Sequence, residues 1–293
     1  MRTTLVGLTL AALMAVLAAT PVAAATTISG GNDVIARPYL DTYQNFVIVD
    51  TNHPISGNGV LTGWSFWAGT TGGVQLVVVR GSHSGSASVV GTSPVVNAPA
   101  TGVVVNETLS PSIIVQAGDY VGLYFQSTGV VPYSGTPSAG TSGTVLYTSN
   151  GYGDPKQGDT LEFQGAVDRM YSVAVSGFAY TFSGFFAPIS NTATNTVKAG
   201  SAVPVKFSLG GDQGLDIFAA GYPQMQRVTC GTTTSEGTAL DTVTAGGSSL
   251  TYDPTSDQYT YVWKTDKSWS GTCGQLVVQF VDGSTETATF AFK

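Results

Sequence analysis

Few groups in this chain could do acid–base or nucleophilic chemistry. It has two histidines, His53 and His83, beside 18 acidic and 11 basic residues. A catalytic serine needs a base held by a third group. His53 precedes Pro54, and His83 sits in Gly81-Ser82-His83-Ser84-Gly85, so both read as exposed loop residues. No G-x-S-x-G elbow occurs. Glycoside hydrolysis needs two carboxylates flanking a cleft, and Asp119, Asp154, Asp159, Glu162 and Asp168 are the candidates. Asp119 follows Gly118, where turn formation alone explains an aspartate. Glu162, between Leu161 and Phe163, reads as the solvent side of an alternating strand. Calcium takes roughly six to eight oxygens. Segments 212–216 and 253–257 offer two carboxylates each without the spacing of a calcium loop, and turn chemistry explains them. No metal or cofactor is expected, and the chain reads as non-enzymatic.

Aromatic side chains are the stronger candidates for binding. In 60–68, alternation places Val60, Trp64 and Phe66 on one face and Leu61 and Trp67 on the other. An outward Trp67, or the tyrosines Tyr133 and Tyr152 in glycine-rich segments, would offer flat apolar faces for stacking on sugar rings. Packing of both tryptophans inside a two-sided sheet is the competing reading, and the favoured one. Cys230 and Cys273 most simply form one disulfide in an exported chain. A zinc site would want further ligands nearby, and both histidines are far away in sequence. For a closed loop of about 40 residues the chain-entropy model gives roughly 4 kcal/mol.

Export is the reading of residues 1–25. Arg2 gives a positive start, 5–19 is apolar and uncharged, and Pro21 precedes Ala23 and Ala25 in the small-residue pattern of a cleavage site after Ala25. The apolar run is short of the roughly 20 residues that span a bilayer. No transmembrane segment is expected after cleavage. The last residues read as a strand without a lipidation or sorting signal, so a secreted or extracellular protein is expected, released or held non-covalently at the cell surface. The formal charge of −7 and the absence of Lys/Arg clusters leave nothing to neutralise a phosphate backbone, which excludes nucleic acid as a partner. Asn106-Glu107-Thr108 fits the glycosylation pattern and is taken as a chance match.

The elements that must position these residues are strands. Segments 60–68, 74–80, 102–109, 120–126, 144–148 and 170–175 are β-rich, separated by turns such as Gly57-Asn58-Gly59, Gly72-Gly73 and Gly151-Tyr152-Gly153-Asp154. Many short strands with glycine turns predict a sandwich or jelly roll over 26–178. Farther on, Val203, Val205, Phe207 and Leu209 alternate with Pro204, Lys206 and Ser208, the proline arguing for an edge or a strand start. A hairpin turns at 253–257, with Tyr259, Tyr261 and Trp263 on one face of its second arm; another turns at Asp282-Gly283. About seven strands with one disulfide form an immunoglobulin-like pattern over 179–293.

This second part resembles a known family. Phe182-Ser183-Gly184-Phe185-Phe186-Ala187-Pro188, Asn195-Thr196-Val197-Lys198-Ala199-Gly200-Ser201, and above all Pro204-Val205-Lys206-Phe207 look like the PxKF module of bacterial exported proteins. Gly221-Tyr222-Pro223, Cys230, Trp263, Trp269 and Gly271-Thr272-Cys273 extend the match over about residues 180–293, while Gly274 stands where the family commonly has arginine. The resemblance implies a C-terminal accessory domain of surface or secreted proteins and no catalytic residue. The whole chain is expected to be all-β: a jelly-roll-like sandwich followed by an immunoglobulin-like one. A structural or adhesive role is expected, with the C-terminal domain as spacer. The alternatives are carbohydrate binding through first-domain aromatics and an extracellular glycoside hydrolase. Polysaccharide or another cell-surface component is the expected partner.

Overall fold

The computed structural model describes residues 25–81, 85–138, 140, 142–232, 234, 240–244 and 249–293. The expected export leader, apart from Ala25, and His83 lie outside them. Among these residues the structure is all-β, with one 3-10 turn at Lys267–Trp269, and no helix is long and apolar enough to cross a membrane.

The first part contains β1 (Thr26–Gly31), β2 (Phe46–Asp50), β3 (Gly59–Ala68), β4 (Gly72–Gly81), β5 (Ser86–Thr92), β6 (Val96–Ala98), β7 (Val103–Val115), β8 (Tyr120–Phe125), β9 (Tyr133–Gly135), β10 (Val145–Thr148), β11 (Thr160–Val167), β12 (Arg169–Tyr171) and β13 (Val173–Ala179). One sheet runs β1-β13-β3-β7 and faces a second in the order β5-β11-β10-β2-β8-β4-β6; β9 and β12 pair as a separate ribbon. In the larger sheet β5 also pairs with β4, so the pairing path curls round and closes. The curl explains why β2, β4 and β8 are apolar on both sides and buried almost throughout. Ile48, Leu76, Val78 and Leu123 pack outward against Trp64, Phe66 and Val175 of the smaller sheet. Val47, Val49, Val77, Val79 and Leu161 form a second core inside the curl.

The expected faces of β3 need one correction. Trp64 and Phe66 are core residues as anticipated, but Leu61 joins them, and Val60, although buried, lies outside that cluster. The cause is a bulge: the register against β13 shifts between Ser176 and Gly177, leaving Thr62 as the extra residue of β3. Gly177 permits it, since a Cβ there would lie 2.0 Å from the Val60 carbonyl oxygen.

The second part contains β14 (Phe185–Phe186), β15 (Asn195–Val197), β16 (Ala202–Phe207), β17 (Gln224–Val228), β18 (Leu240–Asp241), β19 (Val243–Thr244), β20 (Thr251–Asp253), β21 (Gln258–Lys264), β22 (Cys273–Gln279) and β23 (Thr285–Phe292). Sheet β14-β16-β21-β19, with β20 beside β21, packs on sheet β15-β23-β22-β17-β18. Val205, Phe207, Tyr259, Trp263, Leu276 and Phe290 fill the space between. Pro204 is tolerated because β14 covers only the Lys206 and Phe207 end of β16, leaving an open edge where the missing N–H would point. The Cys230–Cys273 disulfide is formed. It ties β22 to the chain leaving β17, its neighbour in the same sheet, and so does not cross the sandwich.

At the junction, the Tyr180 N–H donates to Asp282 Oδ2 (2.7 Å), and the Tyr180 ring meets Phe280 edge-on. The Asp282-Gly283 turn sits against Ile114 of β7, so close that a Cβ on Gly283 would be 2.5 Å from Ile114 Cγ2.

Candidate functional site

A cleft of about 840 Å³ in the first sandwich opens between the segment 39–43 and the β2, β10 and β11 strands. This is within the size range of pockets that take a small-molecule ligand. Its position depends on where segment 39–43 is anchored. Tyr39 and Tyr133 exchange backbone hydrogen bonds (3.1 and 2.9 Å). Gly129 N–H donates to the Asp41 carbonyl (2.9 Å), an approach that leaves no room for a side chain at 129, where a Cβ would be 2.8 Å from Asp41 Cβ. Leu40 is held likewise against Gly69.

One wall is a buried polar network. The Arg169 guanidinium donates through Nη1 to Asp41 Oδ1 (2.8 Å) and to the Tyr171 hydroxyl (3.1 Å). Its Nε and Nη2 donate to the carbonyls of Thr136 (2.8 Å) and Pro137 (2.6 Å). The Tyr171 hydroxyl donates to the other Asp41 oxygen at 2.6 Å. The Asp41 and Arg169 side chains are only 5% and 10% exposed. Burial, reinforced by the Asp41 charge, raises the Tyr171 phenol well above its ordinary range. Burial by itself would lower the Arg169 pKa, but Tyr171, Asp41 and Tyr133 outweigh it and raise it. The guanidinium lies 4.0 Å over the Tyr133 ring centroid, a cation–π contact. Four of the five N–H donors of Arg169 and both oxygens of Asp41 are therefore engaged within the protein.

The mouth is different. Tyr39 and Tyr43 are 42% and 58% exposed, and Tyr147, half-buried, donates its hydroxyl to the Gly140 carbonyl (3.0 Å). Thr42, Ser138, Asn150 and Gln164 also line the cleft and are exposed. Phe46 and Ile48 form its apolar floor. The arrangement offers aromatic faces beside uncharged amides and hydroxyls.

The three aromatics singled out from sequence are not brought together. Tyr133 belongs to the cleft, but it is a strand residue only 3% exposed and stacked under Arg169, so its availability as a loop platform is corrected. Trp67 is half-buried on the side of β3 away from the sandwich core and is not among the cleft residues. Tyr152 packs against the core inside the curl and donates its hydroxyl to the Thr160 carbonyl (3.2 Å); burial first, then Asp159 and Glu162, raise its pKa. Tyr39 and Tyr43 were missed by the sequence reading. Their signal was an aromatic pair four residues apart in a segment without strand alternation.

The carboxylates do not converge on the cleft. Asp119 is 2% exposed and held by Arg80 through two 2.7 Å bonds. Asp154, Glu162 and Asp168 are exposed, and Asp159 caps its turn by accepting the Lys156 N–H at 2.8 Å. Asp41 is the one carboxylate among the lining residues. His53 is exposed and bonds Asn32 Oδ1 through Nδ1 (2.7 Å). Among the described residues no group of three or more His, Cys, Asp or Glu is placed to hold a metal ion. Asp257 accepts from Ser208 Oγ, Gly211 N–H and the Tyr252 hydroxyl, as a loop-closing residue does.

Comparison with protein-family models finds no match, and comparison with curated proteins finds none.

Proposed function

We propose that this is an exported, non-enzymatic adhesive protein whose first sandwich binds carbohydrate in the cleft rimmed by Tyr39 and Tyr43. The observation that carries the reading is the pair of exposed tyrosines at the mouth of a preformed cleft with uncharged polar side chains beside them. Sugar rings present an apolar face to an aromatic ring and hydroxyls to amides and hydroxyls. Hydrolysis would ask for a second carboxylate across the cleft from the first, and Asp41 is already committed to Arg169 and Tyr171. The resemblance of 180–293 to the PxKF module supports a spacer or accessory role for the second sandwich on a cell surface. Pull-down of the purified protein on insoluble polysaccharides and cell-wall preparations tests this, with released sugar assayed in the same wells. Retention without release is expected. Sugar release would refute the non-enzymatic reading, and no retention on any carbohydrate would refute the carbohydrate one.

A further inference from the structure

We infer that the cleft selects neutral oligosaccharides over acidic ones, an inference that rests on the carbohydrate reading and names its ligand class. Acidic sugars are held by free cations, above all by the fork of an arginine. Among the lining residues there is one arginine, Arg169, and four of its five N–H donors are taken by Asp41, Tyr171 and the carbonyls of Thr136 and Pro137. Its face is covered as well, by Tyr133 at 4.0 Å. To be gripped by the guanidinium fork, a ligand carboxylate would have to displace Asp41, a side chain 5% exposed with both oxygens bonded. The charged pair is thus a neutral wall, and the net charge of −7 adds a general repulsion of polyanions.

A basic sugar fares no better, because Asp41 is only 5% exposed and its charge is already paired with Arg169. The accessible groups are Tyr39, Tyr43 and the uncharged Asn150 and Gln164. Among the described residues these two amides have no hydrogen-bond partner within the protein, so their donors and acceptors can face ligand hydroxyls. Stacking and amide–hydroxyl bonds are insensitive to salt, whereas binding carried by ion pairs weakens as salt screens it.

The test is calorimetric titration of the purified protein with two sets of soluble oligosaccharides at low and high salt. The neutral set comprises gluco-, manno-, galacto- and xylo-oligosaccharides; the charged set comprises oligogalacturonate, oligoalginate and chitosan oligomers. At least one neutral oligomer is expected to bind with an affinity unchanged by salt. Tyr43→Ala, at an exposed position, is expected to weaken it about tenfold, the scale of one lost aromatic contact, and Gln164→Ala to weaken it less. Tyr43-dependent binding of a charged oligomer alone would overturn the neutral selectivity while leaving a carbohydrate site. Binding untouched by Tyr43→Ala, Tyr39→Ala and Gln164→Ala would place the site elsewhere and overturn this inference. No binding by any oligomer, with no retention on insoluble polysaccharide, would overturn the carbohydrate reading itself.

Discussion

Replacing Arg169 by Met keeps most of the side-chain volume and removes the charge. The loss divides into unequal parts. The Thr136 and Pro137 carbonyls are on exposed residues, so water can replace the lost donors at little cost. Asp41 cannot recover in that way: its side chain is 5% exposed, and it would keep only the Tyr171 hydroxyl at 2.6 Å. Removing one partner of a buried pair costs about 3–5 kcal/mol, because the remaining charge stays desolvated and unpaired. An exposed pair would cost at most about 1 kcal/mol. The 10% and 5% exposures place Arg169 and Asp41 in the first regime. Asp41→Asn in the Arg169→Met background removes the stranded charge while keeping an acceptor for Tyr171, so the double variant is expected to be more stable than Arg169→Met alone. Urea denaturation gives the free energies, and hydrogen exchange at the amides of β2 and β12 assigns the loss to the first sandwich. A cost below about 1 kcal/mol for Arg169→Met, or a double variant less stable than that single one, would refute the view of this pair as a buried, mutually dependent wall.

Other expectations follow from separate parts of the molecule. Cys230→Ser with Cys273→Ser should lower the stability of the second sandwich by up to about 4 kcal/mol in denaturant melts, with the first sandwich unmoved. Gly177→Ala should cost roughly 1–3 kcal/mol or more in the first sandwich, because its Cβ meets backbone at 2.0 Å; a melting temperature equal to the parent's would contradict the bulge geometry. Burial first, then the Asp282 and Tyr259 charges, push the Tyr180 phenol from 10.0 to about 12. The unfolded phenol gives up its proton first as pH rises, so the folded state then holds more protons and loses stability through that window. Tyr180→Phe should flatten part of the alkaline loss, as pH-dependent melts would detect.

The second sandwich was the more legible half. β16 alternates cleanly, its proline marks the open edge, and the turn at Asp282-Gly283 closes β22 onto β23 with Gly283 at φ +85°. In the first half the strand at 60–68 was found but half of its facing was not, because a bulge inverts alternation without changing composition. The trace it leaves is a glycine inside the partner strand, Gly177, where a backbone must come close. Strands buried on both sides, such as β2 with every residue buried, carry no alternation to read. The charged wall was hidden for a different reason: Asp41 and Arg169 are 128 residues apart and meet through the pairing of β12 with β9 and the bridge from Tyr39 to Tyr133.

The place of the cleft follows from a mismatch between the two sheets. Four strands face seven, so the smaller sheet cannot cover the whole outer surface of the larger one. Its cover spans the centre, where Trp64 and Phe66 meet Leu76 and Leu123 in one cluster. Toward β10 and β11 the apolar surface continues through Ile48, Val145 and Val167. That flank is roofed by segment 39–43 and the β9–β12 ribbon instead of a further strand of the smaller sheet. Segment 39–43 joins that ribbon through the Tyr39–Tyr133 bridge, and the Arg169, Asp41 and Tyr171 network ties Asp41 to β12 from beneath. Tyr43, beyond that bridge and outside any strand, turns outward, while Tyr39 stays 42% exposed with its ring beside that of Tyr133. The wall and the exposed aromatic rim thus both lie where the smaller sheet leaves a flank of the larger one uncovered, and loosening the wall by Arg169→Met should weaken the proposed carbohydrate binding at the rim without touching either tyrosine.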